Sequence, residues 1–377
     1  MSLFSSRNVE IIRLGIVGCG FMSQAVHLPN FSRAKNCRIV ALADKREEVG
    51  KKVTRRFGIP KFYSSEFHSS IDHLAQDPEI DAFLVIVPYQ INSSICLELI
   101  SSGKPIFVEK PLAVDAREAE KVISAAAENK VQIMVGYHKR YDPGCRLARE
   151  MIARLPEEVG KIIFARVHNF TGDWSPGFSP QQIITNETEK TLPYEEAAPL
   201  QVPGFIPEEK RELYFGFLGN FCHDLNLMRF LLGDPKGVKF FSLRKGENIY
   251  TSYTTSVFDF GEFETVMETG GIETHLWDEE VKVYFEEGWL ELKVAPPLLP
   301  QVPSRVTFYQ KGKGIAEPVL EWKWAFEEEA RHFINGVIKK EEFISPAQDS
   351  IKDLYLCESL FKWELANESN SIPSRAV

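Results

Sequence analysis

The sequence predicts an α/β domain on a parallel sheet, followed by an α+β domain whose strands are mainly antiparallel. Three observations carry this. Through the first third of the chain, short unbroken apolar runs alternate with helix-like segments, the pattern of strands covered on both faces. The first run, IIRLGIVG, passes directly into a glycine turn. Beyond about residue 140, alternating apolar-polar strands succeed one another without helices between them, the pattern of an antiparallel sheet.

Taken in order, IIRLGIVG is the first strand, and a helix runs on from the glycine turn through Ser32. CRIVALAD is the second, followed by the charged helix KREEVGKKVTRRFG, closed by Gly58. KFYSS is a short third strand, and FHSSIDHLAQDP is a helix stopped at Pro78. IDAFLVIVP is a near-continuous apolar strand; a helix through SSICLELISSG leads to the strand KPIFVEKP. The helix DAREAEKVISAAAENK has Asp115 as its N-cap and precedes a sixth strand, VQIMVGYHKR. The helix DPGCRLAREMIARL then leads into the alternating strand KIIFARVHNF. The polar, Pro-rich stretch Gly172–Pro207 lacks periodicity and reads as a long loop or lid. A helix over Tyr214–Leu232 is followed by VKFFSLR, NIYTSYTTSVFDF, ETVMETGG, VKVYFEEGWLELKV and SRVTFYQKG, all alternating. Two amphipathic helices, KWAFEEEARHFINGVIKK and DSIKDLYLCESLFKWELA, close the chain.

With 377 residues the chain has room for two domains, and a net charge of −9 argues against nucleic acid as the partner. The start MSLFSSRNVEIIRLGIVG lacks the layout of a signal peptide, and no segment offers about 18 uninterrupted apolar residues, so no membrane partner is expected. Six dispersed cysteines without a Cys-x-x-Cys pair suit a reducing cytoplasm and provide no metal framework.

The stretch RLGIVGCGFMS joins strand to helix. Gly18 permits the sharp turn, and Gly20 has no side chain to keep the backbone from a pyrophosphate. Phe21 and Met22 open the helix as further cofactor-binding candidates, and Ser23 is small enough for close helix–strand packing. Asp44 closes the next strand, where a carboxylate would accept hydrogen bonds from the adenosine ribose. Strand, turn, helix, strand and acid in this order read as a dinucleotide site. Asp44 favours NAD over NADP, while Lys45 and Arg46 could tolerate a 2′-phosphate.

GIVGCGFM, VALAD, IVPYQIN, GKPIFVEKPLAVDAREAEKVISAA and MVGYHKRYDP occur in the order and spacing of the glucose-fructose oxidoreductase / inositol dehydrogenase / rhizopine-catabolism (Gfo/Idh/MocA) family, which this sequence resembles. SPAQDSIKDLYLCESL is similar to the family's closing helix. The resemblance implies a Rossmann NAD(P)-binding domain over residues 9–138. It likewise implies a substrate-binding and oligomerisation domain on a large open, mainly antiparallel sheet over 139–377. It further implies hydride transfer between nicotinamide and a sugar, polyol or related hydroxy compound, in a homodimer or homotetramer paired through that sheet. The nicotinamide side would include Val87, Pro88, Asn92, Glu109, Lys110 and His138, with Lys110 between cofactor and substrate. By its own chemistry Lys110 sits at a strand's C-terminal end, where open α/β sheets bind ligands, and can move a proton there.

LYFGFLGNFCHDLNLMRFLLGDP aligns with the family helix carrying Asp-x-x-x-His and a further Asp, so His223 is the expected acid or base. The two acids are absent: Gly219 stands four residues before His223, and Asn226 three after. Asp224 and Asp173 are other carboxylates near the site. Tyr141, Arg140, His168 and Asp173–Trp174 are further candidates to reach substrate, each with a plain packing role as the alternative. Cys222 beside His223 is no nucleophile pair, because adjacent helix residues point about 100° apart. The missing acids keep open two other functions: transient use of tightly bound NAD in elimination or hydrolysis, and a non-catalytic nucleotide-bound sensor.

Overall fold

The structure, a computed structural model, describes residues 11–64, 67–172, 183–185, 202–246, 251–274 and 277–367. Six parallel strands form the first sheet: β1 (Ile12–Val17), β2 (Cys37–Ala43), β3 (Lys61–Tyr63), β4 (Ala82–Val85), β5 (Ile106–Glu109) and β6 (Ile133–Gly136). Their order, β3-β2-β1-β4-β5-β6, reverses its direction of travel between β1 and β4, where such sheets bind ligands. β4, β5 and β6 are buried at every residue, as an unbroken apolar strand covered on both faces must be.

The connecting helices are α1 (Leu28–Arg33), α2 (Glu47–Phe57), α3 (Phe67–Gln76), α4 (Asn92–Ile100) and α5 (Ala116–Glu128). Gly58 closes α2 in a left-handed conformation, and the Asp115 carboxylate caps α5 by accepting from the Glu118 N–H at 2.7 Å. The segment after the glycine turn is not a plain α-helix. Ser23–His27 form a π-turn before α1, which widens the helix by one residue and brings His27 inward.

Helices α6 (Pro143–Arg154) and α7 (Pro156–Val159) lead to β7 (Ile162–Thr171). After α8 (Arg211–Leu232) come β8 (Gly237–Arg244), β9 (Tyr253–Asp259), β10 (Glu264–Gly271), β11 (Trp277–Phe285), β12 (Gly288–Lys293), β13 (Arg305–Gln310) and β14 (Gly314–Ala316). They form one open eight-stranded sheet, β14-β13-β12-β11-β7-β10-β9-β8, antiparallel except where β7 meets β10. VKVYFEEGWLELKV, expected as one strand, is the hairpin β11–β12, turning at Glu286–Glu287. Two adjacent glutamates followed by glycine suit a turn, which the alternation on either side masks.

Across the sheet Val167, Val281, Leu292 and Val306 stand in register on its buried face, where α8 meets β7 and α6 meets β12 and β13. α9 (Ala325–Lys339) and α10 (Ala347–Asn367) return to the first domain: α10 packs on α5 and α9 on α1, and the Val135 N–H donates to the Ser345 carbonyl. The end of the chain therefore fastens the two sheets together.

Candidate functional site

The glycine turn has the shape its sequence implies. Gly18 has φ +90°, and a Cβ there would lie 2.2 Å from the Ile86 carbonyl oxygen, so only glycine fits. A Cβ at Gly20 would meet nothing within 4 Å, leaving that backbone open to a ligand. Ser23 earns its place by donating from its hydroxyl to the Gly18 carbonyl at 2.6 Å. Phe21 and Met22 pack toward Leu298 and Phe326, at the junction with α9.

Asp44 is more committed than its sequence context suggests. Its carboxylate accepts from the Cys19 N–H at 2.8 Å, and Arg46 chelates both oxygens at 3.0 and 2.9 Å. Burial pushes the carboxyl upward, but the Arg46 guanidinium and the Cys19 contact hold it below the usual range. Lys45, by contrast, is exposed. An open glycine cradle with a carboxylate at the next strand end is a donor and acceptor set that fits an adenine dinucleotide.

At the C-terminal edge of the sheet, Val87 and Pro88 are half-buried at the end of β4. Asn92 is fully buried and donates to the carbonyls of Glu109 and Pro111 at 2.7 and 2.8 Å. It thus braces the turn that carries Lys110, with its amide hydrogens turned away from the cleft. Glu109 is buried as well: one oxygen meets His27 Nε2 at 2.6 Å, and the other accepts from the Lys110 backbone N–H at 3.0 Å.

The half-buried Lys110 ammonium donates to the Gly219 carbonyl on α8 at 2.7 Å, joining the parallel sheet to the helix of the second domain. His223 stands one turn further along α8, its ring centroid 5.1 Å from that of His138, which stacks on Phe326. Burial, then the charges of Lys110 and Lys139, hold the His223 imidazole well below its ordinary pKa; burial, then Lys139 and Lys110, do the same for His138. Both rings are neutral at physiological pH. His223 Nδ1 is enclosed and has no hydrogen-bond partner among the described residues, as the loss of a carboxylate one turn earlier requires.

Tyr89 crowds position 219. Its hydroxyl donates to the Phe215 carbonyl at 2.8 Å and its ring stacks on Phe215. A Cβ at position 219 would lie 3.1 Å from that hydroxyl. Asn226, the second departure, accepts from Arg140 at 2.7 Å and donates to Asp353 at 2.7 Å, inside a network that ties α8 to α10.

Other candidates lie elsewhere. Tyr141 is buried with its hydroxyl on Ser345, and Arg140 pairs with Asp349, so both hold the domain junction. His168 faces the outer side of the eight-stranded sheet between Glu268 and Asp278. Asp173 and Trp174 lie outside the described residues. Sequence reasoning missed Tyr89 and, though it named Asp224, the buried trio that this residue forms with Lys139 and Glu279. There the Lys139 ammonium donates to both carboxylates, and Asn169 donates to Asp224 at 2.7 Å. Lys139 beside His138 and Asp224 beside His223 were the available signals; only folding brings β11 to them.

Residues 12–137 match the model of the oxidoreductase family with an NAD-binding Rossmann fold, Gfo/Idh/MocA. The amino-terminal domain belongs to that family. Among curated relatives of this Gfo/Idh/MocA domain, an inositol 2-dehydrogenase of Rubrobacter xylanophilus is 29% identical over 207 residues, covering 54% of this chain and 55% of that protein. The chain thus spans about half that relative's length. The oxidoreductase YrbE of Bacillus subtilis is 22% identical over 346 residues, 90% of each chain. Of solved structures, the 3-ketoreductase KijD10 of Actinomadura kijaniata, with NADP and TDP-benzene, superposes with TM-score 0.71 at 17% identity, covering 94% of this chain and 98% of that one. An aldose-aldose oxidoreductase of Caulobacter crescentus gives 0.71 at 18%, covering 95% and 98%. These likenesses extend the shared fold across both domains. Among the described residues no helix is long and apolar enough to cross a membrane.

Proposed function

We propose that the protein is an NAD(P)-dependent oxidoreductase acting on a CH–OH group of a sugar, polyol or related hydroxy compound. The observation that carries this reading is the Lys110 ammonium, fastened to Gly219 at the C-terminal edge of the parallel sheet beside His223 and His138. The names of the inositol 2-dehydrogenase and 3-ketoreductase relatives support the class of reaction. Nicotinamide, when bound, supplies the hydride acceptor or donor. Gly18, Gly20 and the π-turn hold the dinucleotide backbone, and Asp44 with Arg46 meets the adenosine end.

Lys110 donates to the substrate oxygen and stabilises charge that develops there. His223, neutral and part-enclosed, accepts the hydroxyl proton. The nearby ammonium groups disfavour its cation, so the ring releases the proton to water. Purified protein given NAD or NADP and a panel of hydroxy compounds is expected to show turnover in nicotinamide absorbance. Lys110→Met is expected to lower kcat by about 10²-fold or more with cofactor affinity kept. Bound cofactor without turnover on any such compound would refute the reading.

The division of labour follows residues 9–138 for cofactor and 139–377 for substrate and assembly. The outer face of the eight-stranded sheet supports a homodimer or homotetramer. Phe164, Tyr284, Trp289 and Tyr309 stand in register across four strands, half-exposed. Light scattering of wild type and Trp289→Glu is expected to show the assembly weakened by the charge. All six cysteines are free and buried, which supports a reducing, cytoplasmic setting.

A further inference from the structure

We propose that this cleft takes a substrate bearing its own carboxylate, a hydroxy acid of the sugar series such as an aldonic or uronic acid, in preference to an uncharged sugar or polyol. The proposal rests on the oxidoreductase reading and sharpens its substrate class.

The argument begins with the partner of Lys110. Its ammonium meets a helix carbonyl, a neutral dipole, and forms no ion pair among the described residues. Position 219 supplies no carboxylate, since glycine stands there with the Tyr89 hydroxyl 3.1 Å from where a Cβ would lie. The remaining acids of the neighbourhood are turned elsewhere. Glu109 gives one oxygen to His27 and the other to the Lys110 backbone, not to its ammonium. Asp224 and Glu279 are enclosed behind Lys139. The Lys139 ammonium offsets their charge, and burial pushes the Glu279 carboxyl upward.

The two imidazoles beside Lys110 register the same field. The charges that act on both His223 and His138 at neutral pH are those of Lys110 and Lys139, and both are cationic. An uncharged polyol would leave this field uncompensated. A carboxylate two or three bonds from the reacting carbon would meet the Lys110 ammonium, which has three donors and uses one on Gly219. Wholly or partly desolvated, such a pair is strong enough to separate an acid from its neutral analogue.

Calorimetric titration of cofactor-saturated protein with matched probes tests this: D-gluconate against D-sorbitol, and D-galacturonate against D-galactose. Each acid is expected to bind at least about tenfold more tightly than its neutral partner, with an advantage that shrinks as salt is added. Gly219→Asp, which restores a carboxylate to the cleft, is expected to remove or reverse that preference. Lys110→Met is expected to abolish it even if the first variant folds poorly. Neutral partners binding as tightly as the acids, or acids that do not bind cofactor-saturated protein, would overturn the inference. Failure of the cofactor itself to bind would instead remove the oxidoreductase reading beneath it.

Discussion

Lys110 Nζ lies 2.7 Å from the carbonyl oxygen of Gly219, and Tyr89 fills the space into which a side chain at 219 would grow. The three residues come from β5's end, α8 and the loop after β4, so the two domains share one polar junction.

Gly219 and Tyr89 are expected to be coupled. Gly219→Asp alone forces the Tyr89 hydroxyl from Phe215 and is expected to cost about 1–3 kcal/mol. Tyr89→Ala makes room, so the double variant should be more stable than the two single changes sum to, by about 0.5–3 kcal/mol. Urea midpoints of the four proteins measure this; strict additivity would show that Tyr89 does not set what position 219 tolerates.

Arg46 is expected to decide between cofactors. In this structure it chelates Asp44, which neutralises the carboxylate that would repel a 2′-phosphate. Arg46→Ala should lower NADP affinity by about tenfold or more, the worth of a charge-assisted contact, and leave NAD affinity equal or higher as Asp44 is released to the ribose. Fluorescence titration with both nucleotides reads the ratio, and an equal loss for both would contradict it.

The Lys139 trio is expected to be sensitive to loss of its cation. Lys139→Met leaves Asp224 and Glu279 buried without a counter-charge and should cost about 3–5 kcal/mol. Replacing all three with Met, Asn and Gln should recover much of it. Thermal unfolding followed by circular dichroism compares the variants.

Two pH effects of opposite sign should appear. Glu329 on α9 is buried with neither oxygen partnered among the described residues, and burial, then the nearby Glu109, raise its pKa well above the carboxylate range. The folded state therefore keeps a proton that the unfolded chain releases near pH ~4.3, and stability falls as pH rises from there. Glu329→Gln should remove that slope and gain on the order of 1 kcal/mol or more at about pH 8, the worth of a tenfold difference in proton affinity between the two states. His138 and His223 act the other way. Their folded pKa values are depressed, so the unfolded chain takes up protons that the folded one refuses, and stability drops as pH falls below about 6.5. Denaturant midpoints from about pH 5 to 8 for wild type and Glu329→Gln separate the two.

The local grammar of the chain determined the first domain almost completely. Unbroken apolar strands, the Gly18 turn, the Asp115 cap and the Gly58 stop each act within a few residues, so they can be read before folding. Lys110 and His223 stood out as candidates through the family resemblance of the motifs around them. Tertiary structure alone decided what those groups face. Whether Asp44 is free or chelated, what crowds position 219, that Tyr141 and Asn92 turn inward, and that His168 points outward all depend on contacts between residues 2 to more than 100 positions apart. Side-chain charge is written in sequence, but its partner and solvation come from packing, and those set the field that a substrate meets.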